Sequence, residues 1–140
     1  MKLKLLCLSI VLILILICGC HMHQPDNQNQ LSADTITEGI LQGINKDNYE
    51  KFSDHFDQEM KDNIPEEEFK TTNTEIKAKI GSYISKNYVS TERKGQYTVV
   101  IYKAKFSKEP GAVIVKTVLS KENGNLDVAD FSLDSPKLRE

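Results

Sequence analysis

The chain has 140 residues, 18 basic and 20 acidic side chains, and a net charge of −2. Its basic residues are scattered, so the electrostatic footprint of a nucleic-acid binder is missing and no such partner is expected. Its three cysteines, Cys7, Cys18 and Cys20, all stand near the N-terminus, which leaves the body without a possible disulfide or thiolate metal site.

Lys2 and Lys4 precede an apolar run over residues 5–17, interrupted only by Ser9. Positive charge ahead of the run keeps this end cytoplasmic during export. About 13 residues make a helix of roughly 20 Å, short of a hydrocarbon core of about 30 Å, which predicts a secretory signal rather than a membrane span. The run ends in Ile17, Cys18, Gly19 and Cys20, followed by the polar His21, Met22, His23, Gln24 and Pro25. These residues resemble the bacterial lipobox: an aliphatic residue, two small residues and an obligatory cysteine. The departures are Ile17, where leucine is most usual, and Cys18, where alanine or serine is. The resemblance implies that the Cys20 thiol receives diacylglycerol, that cleavage precedes Cys20, and that acyl chains hold the domain at the cell membrane on its extracytoplasmic side. At about 0.8 kcal/mol for each buried methylene, two or three chains amount to permanent attachment.

The expected organisation is a signal peptide over 1–19, a lipidated cysteine and flexible tether over 20–31, one domain over 32–134, and a frayed tail over 135–140. Loss of the signal leaves 16 basic and 20 acidic side chains, a net charge of −4. The tether is polar and aperiodic, with a reach of about 18–20 Å. His21 and His23 within it supply only two ligands to a metal, and no metal site is expected there.

A first helix is predicted over 32–45, with Ile36, Ile40, Leu41 and Ile44 on one face and a start capped by Ser32 or by Thr35 with Glu38. Asp47 is placed to cap a second helix carrying the stripe Tyr49, Phe52, Phe56 and Met60. Pro65 suits the first position of a third, with Glu66, Glu67 and Glu68 at its positive end, Phe69, Ile76 and Ile80 inward, and Gly81 as the stop. Those three glutamates diverge by about 100° from one to the next and so do not converge on one cation.

Beyond Gly81 the period changes from 3.6 to 2. Strands are expected over 83–93, 96–106, 112–120 and 126–133, the first being the least marked. Turns are placed at Lys94-Gly95, Pro110-Gly111 and Asn123-Gly124, the last a strong hairpin signal. Along the second strand Thr98, Val100, Tyr102, Ala104 and Phe106 share one face, while Tyr97, Val99, Ile101, Lys103 and Lys105 share the other. On the last strand Phe131 and Leu133 are placed on one face, and Leu126 and Val128 on the other. The class is α+β: three N-terminal helices on one face of a curved antiparallel sheet of three to four strands.

That order, with the phrases DNYEKFS over 47–53, FDQEM over 56–60 and QYTVVIYKAKF over 96–106, resembles a family of small exported bacterial and archaeal domains of unknown function. They are grouped with the nuclear-transport-factor-2-like, or cystatin-like, cone fold. The resemblance spans residues 33–133 and implies a concavity between helices and sheet, with no activity to carry over. Phe52, Phe56, Tyr102 and Phe106 are the residues expected to line or to fill it; if they fill it, ligand binding and catalysis there both fall away.

Some cone-fold proteins are enzymes with an Asp or His base. His55 is the one histidine of the domain, and on a continuous helix it and Glu59, four residues on, would face each other as an acid–base pair. No phosphate loop, triad order or H-x-x-x-H motif accompanies them, and no cofactor is expected. The leading expectation is therefore a non-enzymatic lipoprotein that binds a small apolar ligand or a protein. Its membrane contact is through Cys20, and a homodimer or envelope partner is expected on the Tyr97, Val99 and Ile101 face. The alternatives are a small hydrolase or isomerase using His55, and a scaffold subunit of an envelope secretion or conjugation complex.

Overall fold

The computed structural model describes residues 27–122 and 124–140. The signal segment, Cys20, the His21/His23 pair and Asn123 lie outside the described residues. Among those described, four α-helices precede a four-stranded antiparallel sheet, which establishes the α+β class.

Helix α1 spans Asn27–Lys46, so its first turn takes in residues expected to belong to the tether. Past Pro25 this stretch holds no helix breaker, and Gln28, Gln30 and Leu31 are good helix formers. Ala33, Ile36, Ile40, Leu41 and Ile44 form its buried stripe. The helix ends at Asp47, held in the left-handed region with φ +53°, where the Asn48 amide donates to the Gly43 carbonyl at 3.0 Å.

Three helices were expected, and the second is in fact two. Helix α2 spans Tyr49–Ser53, capped by the Asn48 side chain rather than by Asp47, and α3 spans Gln58–Asn63. The chain leaves the helix between them because its backbone finds other partners. The Asp57 amide donates to the Val128 carbonyl at 3.1 Å, and the Val128 amide donates to the His55 carbonyl at 2.7 Å. The Asp57 carboxylate then accepts from the Met60 amide at 2.8 Å and starts α3. Phe52, Phe56 and Met60 remain buried although their helix is interrupted. Helix α4 spans Glu66–Lys79, with Glu66, Glu67 and Glu68 over its free amides. At Gly81, with φ +81°, the chain turns into the sheet.

The sheet is a meander, β1 (Tyr83–Lys94), β2 (Tyr97–Phe106), β3 (Glu109–Glu122) and β4 (Asn125–Asp134), in spatial order β1-β2-β3-β4. Lys94 pairs with Tyr97, Phe106 with Glu109 and Glu122 with Asn125, so each hairpin loop holds two residues. The second loop is therefore Ser107-Lys108, not Pro110-Gly111. Both loop amides are held from the α4–β1 junction, Ser107 donating to the Ser82 carbonyl and Lys108 to the Ile80 carbonyl, each at 2.9 Å. Pro110 is tolerated in β3 because β4 pairs no further than Ile114, so its missing N–H costs no ladder bond on that side.

Helices cover one face of the sheet, where Val100, Tyr102, Ala104, Phe106, Val113, Val115, Leu119 and Val128 are buried. Partners on β4 require a correction. Val118 pairs with Asp130 while Leu119 pairs with Val128, so Ala129 is an extra, bulged residue. The bulge restores the phase and puts Leu126, Val128, Phe131 and Leu133 all on the core side, where Leu126, Phe131 and Leu133 pack against the buried cluster. Two similar shifts in β1 leave Ile84 and Val89 as extra residues, and both are exposed. The tail beyond β4 carries a short element of its own. Ser135 is buried and caps a 3-10 turn over Pro136–Leu138, whose Leu138 packs against the core.

Candidate functional site

The concavity between helices and inner sheet face is filled. Phe52, Phe56, Tyr102 and Phe106 are 5%, 3%, 0% and 1% exposed and belong to one buried cluster shared by the helices and the inner sheet face. The Phe52 ring lies 4.8 Å from Phe56 edge-on and 4.5 Å from Phe69.

Open space lies to one side, between α4 and β4. A groove of about 460 Å³ has Phe69, Asn73 and Ile76 of α4 as one wall and Phe131, Ser132 and Leu133 of β4 as the other. Ile44 and Phe52 form its floor, Ile64 and Leu138 close over it, and Glu68, Glu75 and Lys79 stand along the rim. Phe52 is thus the one expected pocket residue of the four that lines it. The floor is stiff: Phe52 stands perpendicular to Phe131 at 6.4 Å, and the Tyr49 hydroxyl donates to the Ile64 carbonyl at 2.9 Å. Asn73 ties the α4 wall to the end of α1, its side-chain amide donating to the Ile44 carbonyl at 2.9 Å and to Asp47 at 2.7 Å. Its carbonyl oxygen is buried without a partner.

The β4 wall is the free edge of the sheet. Three successive residues of a strand line one cavity only where the cavity runs along the strand's edge, because side chains alternate between faces. Hydrogen bonding gives the same result. Both Val128 backbone groups are taken by the segment 55–57, so they point away from β3. Through the bulge, the amides and carbonyls of Phe131 and Leu133, opposite Thr117 and Val115, also point away from β3. Among the described residues no backbone bond satisfies them there.

A second group of polar side chains sits under α1. Lys86 is paired with Asp34 at 2.5 Å and Glu38 at 3.6 Å, and Glu38 also accepts from the Tyr83 hydroxyl at 2.7 Å and from Gln42 at 3.0 Å. Burial pushes the Glu38 carboxyl up, but the hydrogen bonds from Gln42 and Tyr83 and the charge of Lys86 outweigh it, and its pKa is lowered. Burial and the Glu38 hydrogen bond raise the pKa of Tyr83. Tyr102 is pushed up to about 12, chiefly by burial and the Asp34 charge, with the Thr37 hydroxyl beside its own acting in the opposite direction. The result at neutral pH is an ionised carboxylate beside neutral phenols, a paired structural cluster without a base poised for proton transfer.

His55 lies in the bend between α2 and α3, with its side chain 49% exposed and 3.7 Å from Asp54, while Glu59 is exposed in the first turn of α3. The continuous helix that would set the two face to face is not formed. Among the described residues no three His, Asp or Glu side chains converge as metal ligands, and no helix is long and apolar enough to cross a membrane. The groove was missed in the sequence because its β4 wall depends on the Ala129 bulge; the half-buried Ile64 and Ile76 were the only hint of it.

Compared with known families, residues 37–129, more than half of the chain, match the model described as protein of unknown function (DUF3887). No curated protein matches the chain.

Proposed function

We propose that this chain, which belongs to the DUF3887 family of proteins of unknown function, is a lipid-anchored binding protein whose partner seats in the groove between α4 and β4. The observation that carries the reading is the groove itself: apolar, stiff-floored, of ordinary ligand-site size, and bordered by unsatisfied backbone. The hydrolase or isomerase alternative is less well supported: the four aromatic residues expected to line a central cavity are buried, and His55, half exposed beside Asp54 and without Glu59 facing it, lines instead a depression between α1 and α2. Its cone-like assignment is supported by the helices on one face of a four-stranded meander. Anchoring is supported by Lys2, Lys4, the apolar run over 5–17 and Cys20 with its lipobox-like approach.

A photocrosslinking residue tests the groove in intact cells. Placed at Glu75 on the rim, it should give a discrete adduct, and at Lys105 on the opposite sheet face it should not. Equal labelling from both positions overturns the assignment of the groove. For the anchor, Cys20→Ser should abolish incorporation of labelled fatty acid and release the protein from membranes. Uptake of label by the mutant rejects lipidation.

One observation favours a second contact. Val99, Ile101, Ile114 and Val118 are half-exposed, and Tyr97 is 38% exposed, on the sheet face that carries no helix. A second copy of the chain on that face would make a dimer by sedimentation that Ile101→Lys dissociates; a monomer at all concentrations removes it.

A further inference from the structure

We infer that the occupant of the groove is an extended polypeptide segment that adds to the free edge of β4 as a further strand. The inference rests on the reading of the groove as the binding site and names the chemistry of its partner. Four backbone groups, the N–H and C=O of Phe131 and of Leu133, face the groove without partners among the described residues. A small apolar ligand would cover Phe69, Ile76 and Phe131 and leave those groups dry and unpaired. Another backbone, by contrast, offers a donor and an acceptor at the same two-residue repeat, roughly 7 Å.

The fold already shows this addition at one residue. Phe56 bridges Val128 in parallel fashion, through the bonds from the Val128 amide to the His55 carbonyl and from the Asp57 amide to the Val128 carbonyl. The chain then turns away because Asp57 caps α3, so the next two pairing positions of the same edge are open. The free length beyond the bulge, Asp130 to Asp134, accommodates about five extended residues, roughly 17 Å. Alternate side chains of such a segment enter between Phe69 and Ile76. Among the described residues of the rim, Glu75 makes no ion pair, Glu68 accepts from the Thr72 hydroxyl at 3.5 Å, and Lys79 is the one basic side chain. A segment alternating apolar with basic residues fits that pattern.

The test uses the purified full-length chain in detergent and a peptide of about six residues alternating valine and lysine, a usual strand length. Saturable binding is expected, with exchange of the Phe131 and Leu133 amides slowed at least about tenfold on saturation, since each gains a hydrogen bond. N-methylation of the peptide at the positions facing β4 should weaken binding roughly tenfold for each bond lost, and methylation at the intervening positions should not. Equal affinity of both methylated series, or unchanged exchange at Phe131 and Leu133, overturns strand addition. Absence of peptide binding where the Glu75 crosslinker still gives its adduct also overturns it and leaves the groove reading standing. Absence of both removes the two together.

Discussion

Lys86 on β1 reaches under α1 to within 2.5 Å of the Asp34 carboxylate, and its side chain is 6% exposed while that of Asp34 is 50% exposed. One member of the pair is therefore dry and the other wet. The ammonium also lies 4.8 Å from the centre of the Tyr102 ring. This arrangement joins the first helix to the edge strand through an ion pair, an aromatic face and the stem of a long side chain.

Replacing Lys86 should accordingly cost more through lost packing than through lost charge. Lys86→Ala is expected to destabilise by about 1–2 kcal/mol, because the vacated space lies against Tyr102 while Asp34 is resolvated. Lys86→Met keeps the stem and should lose less than half of that. Urea unfolding of the two variants checks the order; equal losses would assign the effect to charge.

Acid should weaken the same junction through Glu38. Its folded pKa lies below the ordinary 4.5 because hydrogen bonds from Gln42 and Tyr83 and the Lys86 charge outweigh burial. Protonation therefore favours the unfolded chain. The contribution is complete above pH 4.5 and is lost as pH falls through the lower, folded value. Melting temperature should drop on acidification below that point, and by less in Glu38→Gln. An unchanged acid slope in the variant would exclude Glu38 as the group.

Two glycines four residues apart in α1 should respond with opposite sign. A Cβ at Gly43 would lie 2.6 Å from the Phe52 amide nitrogen, where α1 and α2 approach most closely. Gly43→Ala should cost about 1–3 kcal/mol as backbones separate. Gly39 has nothing within 4 Å of its added methyl, so Gly39→Ala should gain roughly 0.5–1 kcal/mol from helix propensity. Thermal unfolding of both variants decides the matter.

Deleting Ala129 should disrupt the β4 wall of the groove. Without the bulge, either Leu126 and Val128 or Phe131 and Leu133 must turn to the outer face. Exposing such a pair costs on the order of 3 kcal/mol, and the cooperative transition should broaden. An NMR spectrum of the deletion that kept the chemical shifts of Phe131 and Leu133 would refute the role given to the bulge.

Local pattern carried much of this fold. The stripe Ile36, Ile40, Leu41 and Ile44, the alternation through Val100, Tyr102, Ala104 and Phe106, and the Asn123-Gly124 pair predict the first helix, the inner sheet face and the last hairpin. Side-chain period and turn chemistry are properties of a few neighbouring residues, so they are visible without a partner. The helix break at residues 54–57 was hidden because its cause is Val128, more than seventy positions away.

The sequence by itself determined the class, helices then an antiparallel meander, and the residues of the core, because burial follows periodicity. Tertiary structure alone decided that this core is full and that space opens beside it. A bulge arises when one strand's length is fitted to its neighbour, as Ala129 is fitted opposite Val118, and an edge is free only when no other element covers it. Both are relations between distant segments, and together they turn Phe131 and Leu133 from ordinary strand residues into the wall of a groove.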